Sequence, residues 1–313
     1  MAGKVLKPRK RSSFWKDVKK SKVLLLMLLP GLVVLIINNY MPMAGIIIAF
    51  KKLSFSLGIL KSPWVGFKNF TYFLNSVYAY RVTRNTVLFN AVFIILGTVC
   101  NIALALMLSE LRNKRGAKVY QTLILLPFFL SWVAASYLGM ALMNPNGLFN
   151  VILQAFGQQP INFYAIPKYW LIILPLANIW KGIGYGSIVY LAAIAGMDQE
   201  LFEAAYLDGA GKFKQIWHLT LPMLKPIIII LTILAVGNIF RGDFGLFFQL
   251  TQNAGALYPV TDVIDTYVFR MLMKNADYGI STAVGLYQAA VGFALVLAAN
   301  LVVRKIDRGS ALF

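Results

Sequence analysis

DQELFEAAYLDGAGKFKQIWHLTLP, residues 198–222, is a polar and charged stretch that lies between two long apolar segments. Asp198 is typical of a helix N-cap, and Gly209 is typical of the turn that ends a helix. Pro222 keeps the residue before it out of the α conformation. The stretch therefore predicts a short helix, a glycine turn, and a second short helix over residues 212–220 that ends before Pro222.

The composition around this stretch is that of a membrane protein. The chain has 313 residues, of which 59% are hydrophobic and 13% charged, and its mean hydropathy is +0.70. These values exclude an ordinary soluble domain. The net charge of +19 is carried by residues clustered between apolar runs, so the positive-inside rule explains it better than a nucleic-acid partner. The single cysteine, Cys100, excludes an intrachain disulfide and a multi-cysteine metal site.

Six apolar runs are long enough to cross a membrane, since a hydrocarbon core of ~30 Å needs ~20 helical residues. The first run contains Pro30 and Pro42, and we expect it to be kinked. The predicted spans are residues 23–50, 85–109, 119–143, 169–195, 223–249 and 283–303.

Basic residues in the connections predict the orientation. The tail 1–22, the link that contains Arg112, the stretch 198–222 and the tail 306–313 all carry lysine or arginine, and six spans place them on one side, in the cytoplasm. The segment 51–84 is also basic but lies on the opposite side by parity. The tail 1–22 is expected to be retained, because the apolar run after it is too long for a signal peptide.

The spans and connections predict four parts. These are a basic cytoplasmic tail (1–22), the first transmembrane helix with an external segment (23–84), a core of five transmembrane helices (85–305) and a cytoplasmic C-terminal tail (306–313).

The external segments contain aromatic and amphipathic patterns. Aromatic residues in 51–84 are typical of interfacial anchors: Trp64, Phe67, Phe70, Tyr72 and Phe73. Apolar residues in 250–282 recur at helical spacing and predict an external amphipathic helix: Val263, Ile264, Tyr267, Val268 and Met271.

Several motifs that could carry chemistry fail on inspection. Gly211-Lys212 is not a phosphate loop, because Tyr206 occupies the position of the first glycine and Phe213 follows the lysine. The glycines of GIGYG, residues 182–186, lie in an apolar span and are expected to permit close helix packing. The lone His218 is interpreted as structural. With no nucleophile and base arrangement and no set of metal ligands, the sequence predicts neither an enzyme nor a metal site.

Polar side chains inside the spans are the candidates for a substrate pathway, because they are costly in hydrocarbon unless they face a cavity or a partner. Aromatic faces and amide edges suit neutral, hydroxyl-rich solutes such as sugars. Hydrogen bonding between helices is the alternative at each position, and Lys181, Arg241 and Asp243 need no role beyond the outer interface. The pathway candidates are Asn178, Trp180, Tyr185, Asn238, Tyr287 and Gln288.

Glu203-Ala204-Ala205, followed by Gly209 and by Leu219-Thr220-Leu221-Pro222, resembles the EAA loop of permease subunits of binding-protein-dependent ABC importers. Leu219 stands where the family pattern has isoleucine. Three further segments resemble carbohydrate-uptake permeases, especially the oligosaccharide permeases that work with lipoprotein binding proteins: GFKNF (66–70), WKGIGYGSIVYLAAI (180–194) and TDVIDTYVFR (261–270).

The resemblance implies an all-α polytopic membrane protein of the type I ABC importer permease fold, with six transmembrane helices, both termini cytoplasmic, and a coupling helix that rests in a groove on an ATPase subunit. Small residues allow close approach of that helix, and Glu203 can meet a cationic surface. The residues implied in ATPase coupling are Glu203, Ala204, Ala205, Asp208, Gly209, Leu219, Leu221 and Pro222.

The resemblance also implies an assembly in the bacterial cytoplasmic membrane, surrounded by lipids. Its partners are a second homologous permease, two cytoplasmic ATPase subunits, an extracytoplasmic solute-binding protein and a sugar substrate moved by alternating access. ATP and Mg²⁺ are then bound by the ATPase, and this chain has no cofactor. A permease for another polar solute and a secondary transporter without an ATPase remain alternatives. The latter should show inverted repeats or embedded acids, and the sequence shows neither.

Overall fold

The computed structural model describes residues 21–111 and 113–306. Arg112, residues 1–20 of the predicted tail 1–22 and residues 307–313 of the predicted tail 306–313 lie outside the described residues. Within the described part the chain is helical and has no strand, apart from one isolated bridge between Lys51 and Trp64. The all-α prediction is confirmed.

The first span changes its winding along its length. Helix α1, Lys22–Leu35, contains Pro30 and continues into a π turn, Ile36–Tyr40, and a 3-10 helix, Met41–Phe50. The three pieces form one continuous helical span of 29 residues, so the expected irregularity is a change of winding rather than a break. The 3-10 part packs on the last helix of the chain, whereas the most apolar window of the span has no buried residue.

The segment 51–84, which is predicted to be external and is called the external segment below, contains two short helices, α2 (Gly58–Lys61) and α3 (Lys68–Leu74). Trp64 is exposed as expected of an interfacial anchor, and its ring stacks on that of Phe50 at 5.8 Å. Phe73 is an exception, because it is buried and packs against the rings of Tyr267 and Tyr287. Its interpretation as an anchor is therefore wrong, and it belongs to the core.

The longest helix, α4, covers Val77–Ser109 and has 33 residues. The hydroxyl of Ser76 caps it by accepting from the amide of Ala79. The helix begins before the apolar run at residue 85, because polar residues of its first two turns pack on the external segments. At 1.5 Å per residue it is about 50 Å long and separates the two ends of the molecule.

The predicted span 119–143 is interrupted by a sharp bend. The chain forms α5 (Lys114–Phe129) and α6 (Trp132–Met143) instead, and the two arms of this region are bent by 96°. Pro127 lies in the last turn of α5, and the hydroxyl of Ser131 caps α6 by accepting from the amide of Ala134 at 3.1 Å. A proline followed by an N-cap ends one helix and starts another. Helix α7, Leu148–Ala155, and a 3-10 turn, Phe163–Ala165, follow.

The next elements are α8 (Pro167–Ala195), α9 (Gln199–Leu207), α10 (Lys212–Gln215), a π turn (Ile216–Thr220) and α11 (Leu221–Gly237). The prediction that a helix ends before Pro222 is wrong, because residues 212–237 form one helix. The amide of Leu221 donates to the carbonyl of Ile216, five residues back. This wider turn accommodates Pro222 within the helix, so the helix does not end there.

The fifth span ends at Gly237, earlier than the predicted 223–249. A π turn (Gly245–Leu250), a 3-10 turn (Gly255–Leu257), α12 (Tyr258–Thr261), α13 (Ile264–Met273) and α14 (Tyr278–Ile306) complete the described chain. The predicted amphipathic helix is confirmed by α13, which buries Ile264 and Tyr267.

Five helices of the described part are long and apolar enough to cross a membrane, and the bent pair α5 and α6–α7 makes a sixth span if it is counted as one. Three clusters of buried side chains hold them together. One joins α4, α6 and α8 around Trp170, a second joins α13 and α14 around Tyr267, and a third lies under α9.

Candidate functional site

Residues 198–222, called here the EAA segment, begin with a fully capped helix. The carboxylate of Asp198 accepts from the amide of Glu200 at 3.0 Å, as its N-cap pattern predicts. At the other end the amide of Gly209 donates to Tyr206, and the amide of Ala210 donates to Ala205. Gly209 has φ +80°, the left-handed conformation of this double hydrogen-bonded stop. Caps at both ends make α9 a short but well-defined element.

The outer face of α9 is open. Glu203 and Ala204 are exposed and Ala205 is half-buried. Beside them lie large apolar side chains that water would not favour: Leu207 is 84% exposed, and Phe213 is 78% exposed and stacked on Trp217. Contiguous exposed apolar groups mark surfaces that another molecule covers.

The inner face of α9 rests on the membrane helices through Phe202. This ring packs against a buried cluster formed by Ala105 of α4, Tyr190 of α8 and Leu224 of α11. Phe202 thus contacts the cluster in which three long helices meet. Phe202 was not predicted to have a role, although a phenylalanine on a short helix that also carries Glu200 and Glu203 is a signal that could have found it.

The second half of the EAA segment forms the base of the fifth span. Leu219 and Leu221 are half-buried within the continuous helix, and Pro222 is exposed on it. The buried Gln215 donates to the carbonyl of Ala210 at 3.0 Å, which fastens α10 to the glycine turn. Of the predicted coupling residues, those at 203–209 therefore lie on the surface helix and its stop, and those at 219–222 lie in the stem.

An ion pair joins the EAA segment to the end of α4. The ammonium of Lys212 lies 3.0 Å from a carboxylate oxygen of Glu110, and both side chains are well exposed. Such exposed pairs contribute little to stability. The contact does place the EAA segment at the C-terminal end of α4, about 50 Å from the external segment at the other end.

Two of the predicted pathway residues line one cavity. Asn178 and Tyr185 of α8, together with Thr98 and Asn101 of α4, line a cavity of about 370 Å³ between α4, α8 and α11. The ring of Tyr185 stacks on Phe128 with centroids 4.4 Å apart. Asn101 was not predicted, although an asparagine in an apolar run is a signal of the kind already used for Asn178.

The other predicted pathway residues are separate. Trp180 lines a neighbouring apolar cavity of about 350 Å³ with Trp132. Asn238 donates to the carbonyl of Leu234 at the end of α11. Tyr287 is half-buried, packs against the cluster around Tyr267 and lines a separate cavity with Tyr80. Gln288 donates to the carbonyl of Phe240 and to Asp265. Gln288 thus has the helix-to-helix hydrogen bonds that were the alternative interpretation of these residues.

Close helix packing at the glycines of residues 182–186 is confirmed at two positions. A Cβ on Gly184 would overlap the backbone of Ile124 in α5, and one on Gly186 would overlap the side chain of Asn101. Gly182 has open space around its Cα and lies at the cavity between α4 and α8. Helix α8 is therefore held close to two neighbours beside that cavity.

A buried charge cluster fastens the external elements and was not predicted. Asp262 is fully buried, and its carboxylate lies 3.0 Å from the guanidinium of Arg81 and 2.6 Å from that of Arg270. Thr266 donates to the same carboxylate, and Asn85 donates to the backbone carbonyl of Asp262. The cluster joins the start of α4 to α13.

Polar side chains form hydrogen bonds with the chain at the break between α5 and α6. The ammonium of Lys181 donates to the carbonyl of Phe128 at 2.8 Å and lies over the rings of Phe128 and Trp132. The indole of Trp132 donates to Asp243 at 2.7 Å. Lys181 thus gives a carbonyl of the irregular backbone the partner that such a break requires in a membrane, and Asp243 holds the Trp132 ring that begins α6.

Asp265 joins α13 to the segment after α11. Its carboxylate accepts from the amide of Gly242 at 2.6 Å and from Gln288 at 3.1 Å. Burial raises the pKa of the Asp265 carboxyl, and these two hydrogen bonds and the charge of Arg241 oppose the increase. Burial likewise raises the pKa of the Tyr267 hydroxyl to about 12.

Comparison with known proteins agrees with these features. Residues 94–308, more than half of the chain, match the family described as "Binding-protein-dependent transport system inner membrane component". Protein LplB of Bacillus subtilis is 36% identical over 305 residues, which cover 97% of this chain and 95% of that protein. The polygalacturonan/rhamnogalacturonan transport system permease protein YteP of the same organism is 37% identical over 302 residues, with coverages of 96% and 94%.

Solved structures give the same fold. A crystal structure of a bacterial ABC transporter involved in the import of the acidic polysaccharide alginate has a chain with a TM-score of 0.85 and 35% identity, covering 94% of this chain and 99% of that one. The bacterial alginate transporter in complex with an alginate pentasaccharide-bound periplasmic protein matches with a TM-score of 0.85 and 34% identity. The type I permease fold and a multi-pass location in the bacterial plasma membrane follow. The chain belongs to the family of inner membrane components of binding-protein-dependent transport systems and is an ABC importer permease.

Proposed function

We propose that the chain is the membrane-spanning subunit of an ATP-driven carbohydrate importer, with α9 as the element that receives the motion of an ATPase. One observation carries the proposal. Helix α9 is capped at both ends, exposes Glu203 and Ala204, and rests through Phe202 on the cluster that joins α4, α8 and α11. A push on the outer face of α9 would therefore reach three spans at once.

The proposed partners follow from surfaces of this chain. Two cytoplasmic ATPase subunits would bind and hydrolyse ATP with Mg²⁺, and one of them would cover Leu207 and Phe213. A second, homologous permease would complete the membrane part, for which the unburied apolar face of α1 offers one contact surface. A solute-binding protein, in the manner of the lipoproteins of this subgroup, would deliver the substrate at the end formed by α2, α3 and α13.

The orientation in this proposal places the EAA segment and both termini in the cytoplasm. The basic connections support it through the positive-inside rule. Because Glu110 and Lys212 meet at the C-terminal end of α4, the external segment at its N-terminal end then faces outward. A swing of the spans between outward-facing and inward-facing arrangements gives alternating access.

Carbohydrate is the proposed substrate class. The relative YteP is named for polygalacturonan and rhamnogalacturonan transport, and the transporter of known structure imports alginate. In this chain the cavity with Asn178 and Tyr185 has the amide and aromatic groups that suit hydroxyl-rich solutes. Family membership favours this function over a secondary transporter that works without an ATPase.

Uptake of a labelled oligosaccharide by cells tests the coupling role. The variant carries Glu203→Lys, which reverses the exposed charge, and Gly209→Pro, which is incompatible with a φ of +80°. We expect ATP-dependent uptake to be lost while the protein still reaches the membrane. Lys168→Gln, an exposed charge change at the far end of α8, is the control. Unchanged uptake in the double variant would refute the coupling role.

A further inference from the structure

A second polar cavity lies at the end of the molecule opposite to the EAA segment. It has a volume of about 600 Å³, within the usual range of small-molecule sites. Its walls come from the segment before α3, from α3 itself, and from the turn between α13 and α14. Its lining includes Lys51, Lys52, Lys68, Asn69, Tyr72 and Tyr278.

The charge of this cavity is unusual for its position. Residues 51–84 contain six basic side chains and no acidic one, although the positive-inside rule disfavours basic residues on the outer side. Arg81 is paired with Asp262, and no ion pair occurs at Lys52 or Lys68 within residues 21–111 and 113–306. Asp277 is the one acidic residue in the lining, and its carboxylate accepts from the amide of Ile280. The lining therefore has an excess of positive charge.

The cavity wall is rigidly built. Lys51 is only 7% exposed, and its ammonium donates to the carbonyls of Ile59 and Leu60 at 2.9 and 2.7 Å. Asn69 donates to the carbonyls of Ala49 and Lys51, on the first span and just after it. These bonds fix the backbone that presents the exposed ammonium of Lys52 beside the cavity.

The facing wall is equally constrained. A Cβ on Gly279 would lie 2.8 Å from the amide nitrogen of Asn69 and 2.9 Å from the carbonyl of Lys51, so only glycine lets α14 approach so closely. Ala276, at the turn, has φ +51°, a left-handed conformation that is strained for a residue with a Cβ. Strain of this kind persists where the surrounding structure enforces it and is concentrated at binding sites.

We propose that this cavity binds a saccharide that bears carboxylates, such as a uronate oligosaccharide, before it enters the membrane part; this rests on the proposed function. The ammonium groups of Lys52 and Lys68 pair with carboxylates. The exposed ring of Tyr72 and the ring of Tyr278 offer faces to the sugar. Asn69 is occupied by its backbone bonds and acts as a positioning residue.

A small anionic ligand fits these features better than a protein surface. The charged groups line a concave cavity rather than a flat face, and the aromatic rings lie beside the ammonium groups. The basic excess also raises the local concentration of an anionic solute and hence its association rate, an effect that salt suppresses.

The test uses the purified permease and ATPase complex, without the binding protein, in nanodiscs of phosphatidylcholine. The probes are trigalacturonate and the uncharged maltotriose, with equilibrium binding as the first measurement. Carbodiimide coupling of bound trigalacturonate to lysine, mapped by mass spectrometry, is the second. We expect trigalacturonate to bind, maltotriose not to bind, and the adduct to form at Lys52 or Lys68.

Two variants test whether trigalacturonate binding depends on the lysines that line the cavity. Lys52→Gln with Lys68→Gln should weaken trigalacturonate binding about tenfold, on the scale of two solvent-accessible charge pairs. Lys61→Gln, a charge change on α2 outside the cavity, should alter it by less than about twofold. Thermal unfolding of each variant checks that the complex remains folded.

Several results would overturn the proposal. Equal affinity for maltotriose, equal losses in both variants, or adducts confined to other lysines would each do so. Displacement of trigalacturonate by phosphatidylglycerol in the nanodisc would assign the cavity to a lipid headgroup. If the Lys52→Gln, Lys68→Gln variant retained trigalacturonate binding but no longer associated with the binding protein, added in a separate measurement, the cavity would be assigned to protein docking. ATP-dependent uptake by the same variants, measured in sealed proteoliposomes to which the binding protein is added, separates failure of this site from failure of the importer function.

Discussion

Replacement of Asp262 by asparagine should loosen the attachment of α13 to the rest of the molecule. The carboxylate of Asp262 is fully buried between the guanidinium groups of Arg81 and Arg270, at 3.0 and 2.6 Å. Asparagine keeps the shape and removes the charge. Two arginines then face each other with no anion between them.

The expected loss of stability in Asp262→Asn follows from how deeply the ion pairs of Asp262 are buried. Loss of one partner of a buried ion pair destabilises by about 3–5 kcal/mol. The arginine side chains retain 25% and 14% exposure and can reach water, so we expect the lower end, about 3 kcal/mol. At 1.4 kcal/mol for each factor of ten, local opening of α13 becomes about a hundredfold more frequent.

Hydrogen exchange followed by mass spectrometry measures this opening directly. Peptides from residues 264–273 should exchange about a hundredfold faster in Asp262→Asn than in the natural protein. Asp277→Asn is the control, since asparagine caps a helix about as well as aspartate does. Unchanged exchange over α13, or equal acceleration across α4 and α8, would refute the reasoning that this charge cluster fastens α13.

Three further predictions concern other contacts. Phe202→Ala should lower ATP-dependent uptake because the link from α9 to the core is lost, whereas Leu201→Ala, which truncates an exposed neighbour, should not. Gly184→Val should overpack the contact with α5 and lower the free energy of unfolding by about 1–3 kcal/mol, with Gly182→Ala as a near-neutral control in thermal unfolding. Because burial raises the pKa of Asp265 in the folded protein, the folded state binds the proton more tightly than the unfolded chain. As pH rises from about 4 through that raised pKa, stability should therefore fall relative to Asp265→Asn, as chemical unfolding at several pH values would record.

Much of the fold was predictable from the sequence, because burial in lipid imposes long apolar runs. The number of spans was predicted from the length of the apolar runs, and the amphipathic helix α13 from the helical spacing of its apolar residues. The break after Pro127 was missed because a hydropathy window averages over it, although the proline and the N-cap Ser131 were both visible. The continuation of the helix through Pro222 depends on a π turn, which local residue preferences do not reveal.

The candidate site was predictable where its signal is local. The caps of α9 at Asp198 and Gly209 follow from residue type and spacing. The charge cluster was not predictable, since Arg81 and Asp262 are 181 residues apart in sequence and neither residue's neighbours reveal the pairing. Gln288 shows the same limit, because only the packed structure distinguishes a pathway amide from one that binds backbone carbonyls.

The π turn of residues 216–220 has a consequence for the base of the fifth span. A π turn contains one residue more than the α winding around it, and one residue corresponds to a rotation of about 100° about the helix axis. The angular position of α10 relative to α11 is therefore set by these five residues. A sequence change that restored α winding there would rotate α10 against α11 and shift the glycine turn that ends α9, without altering any side chain on the α9 surface.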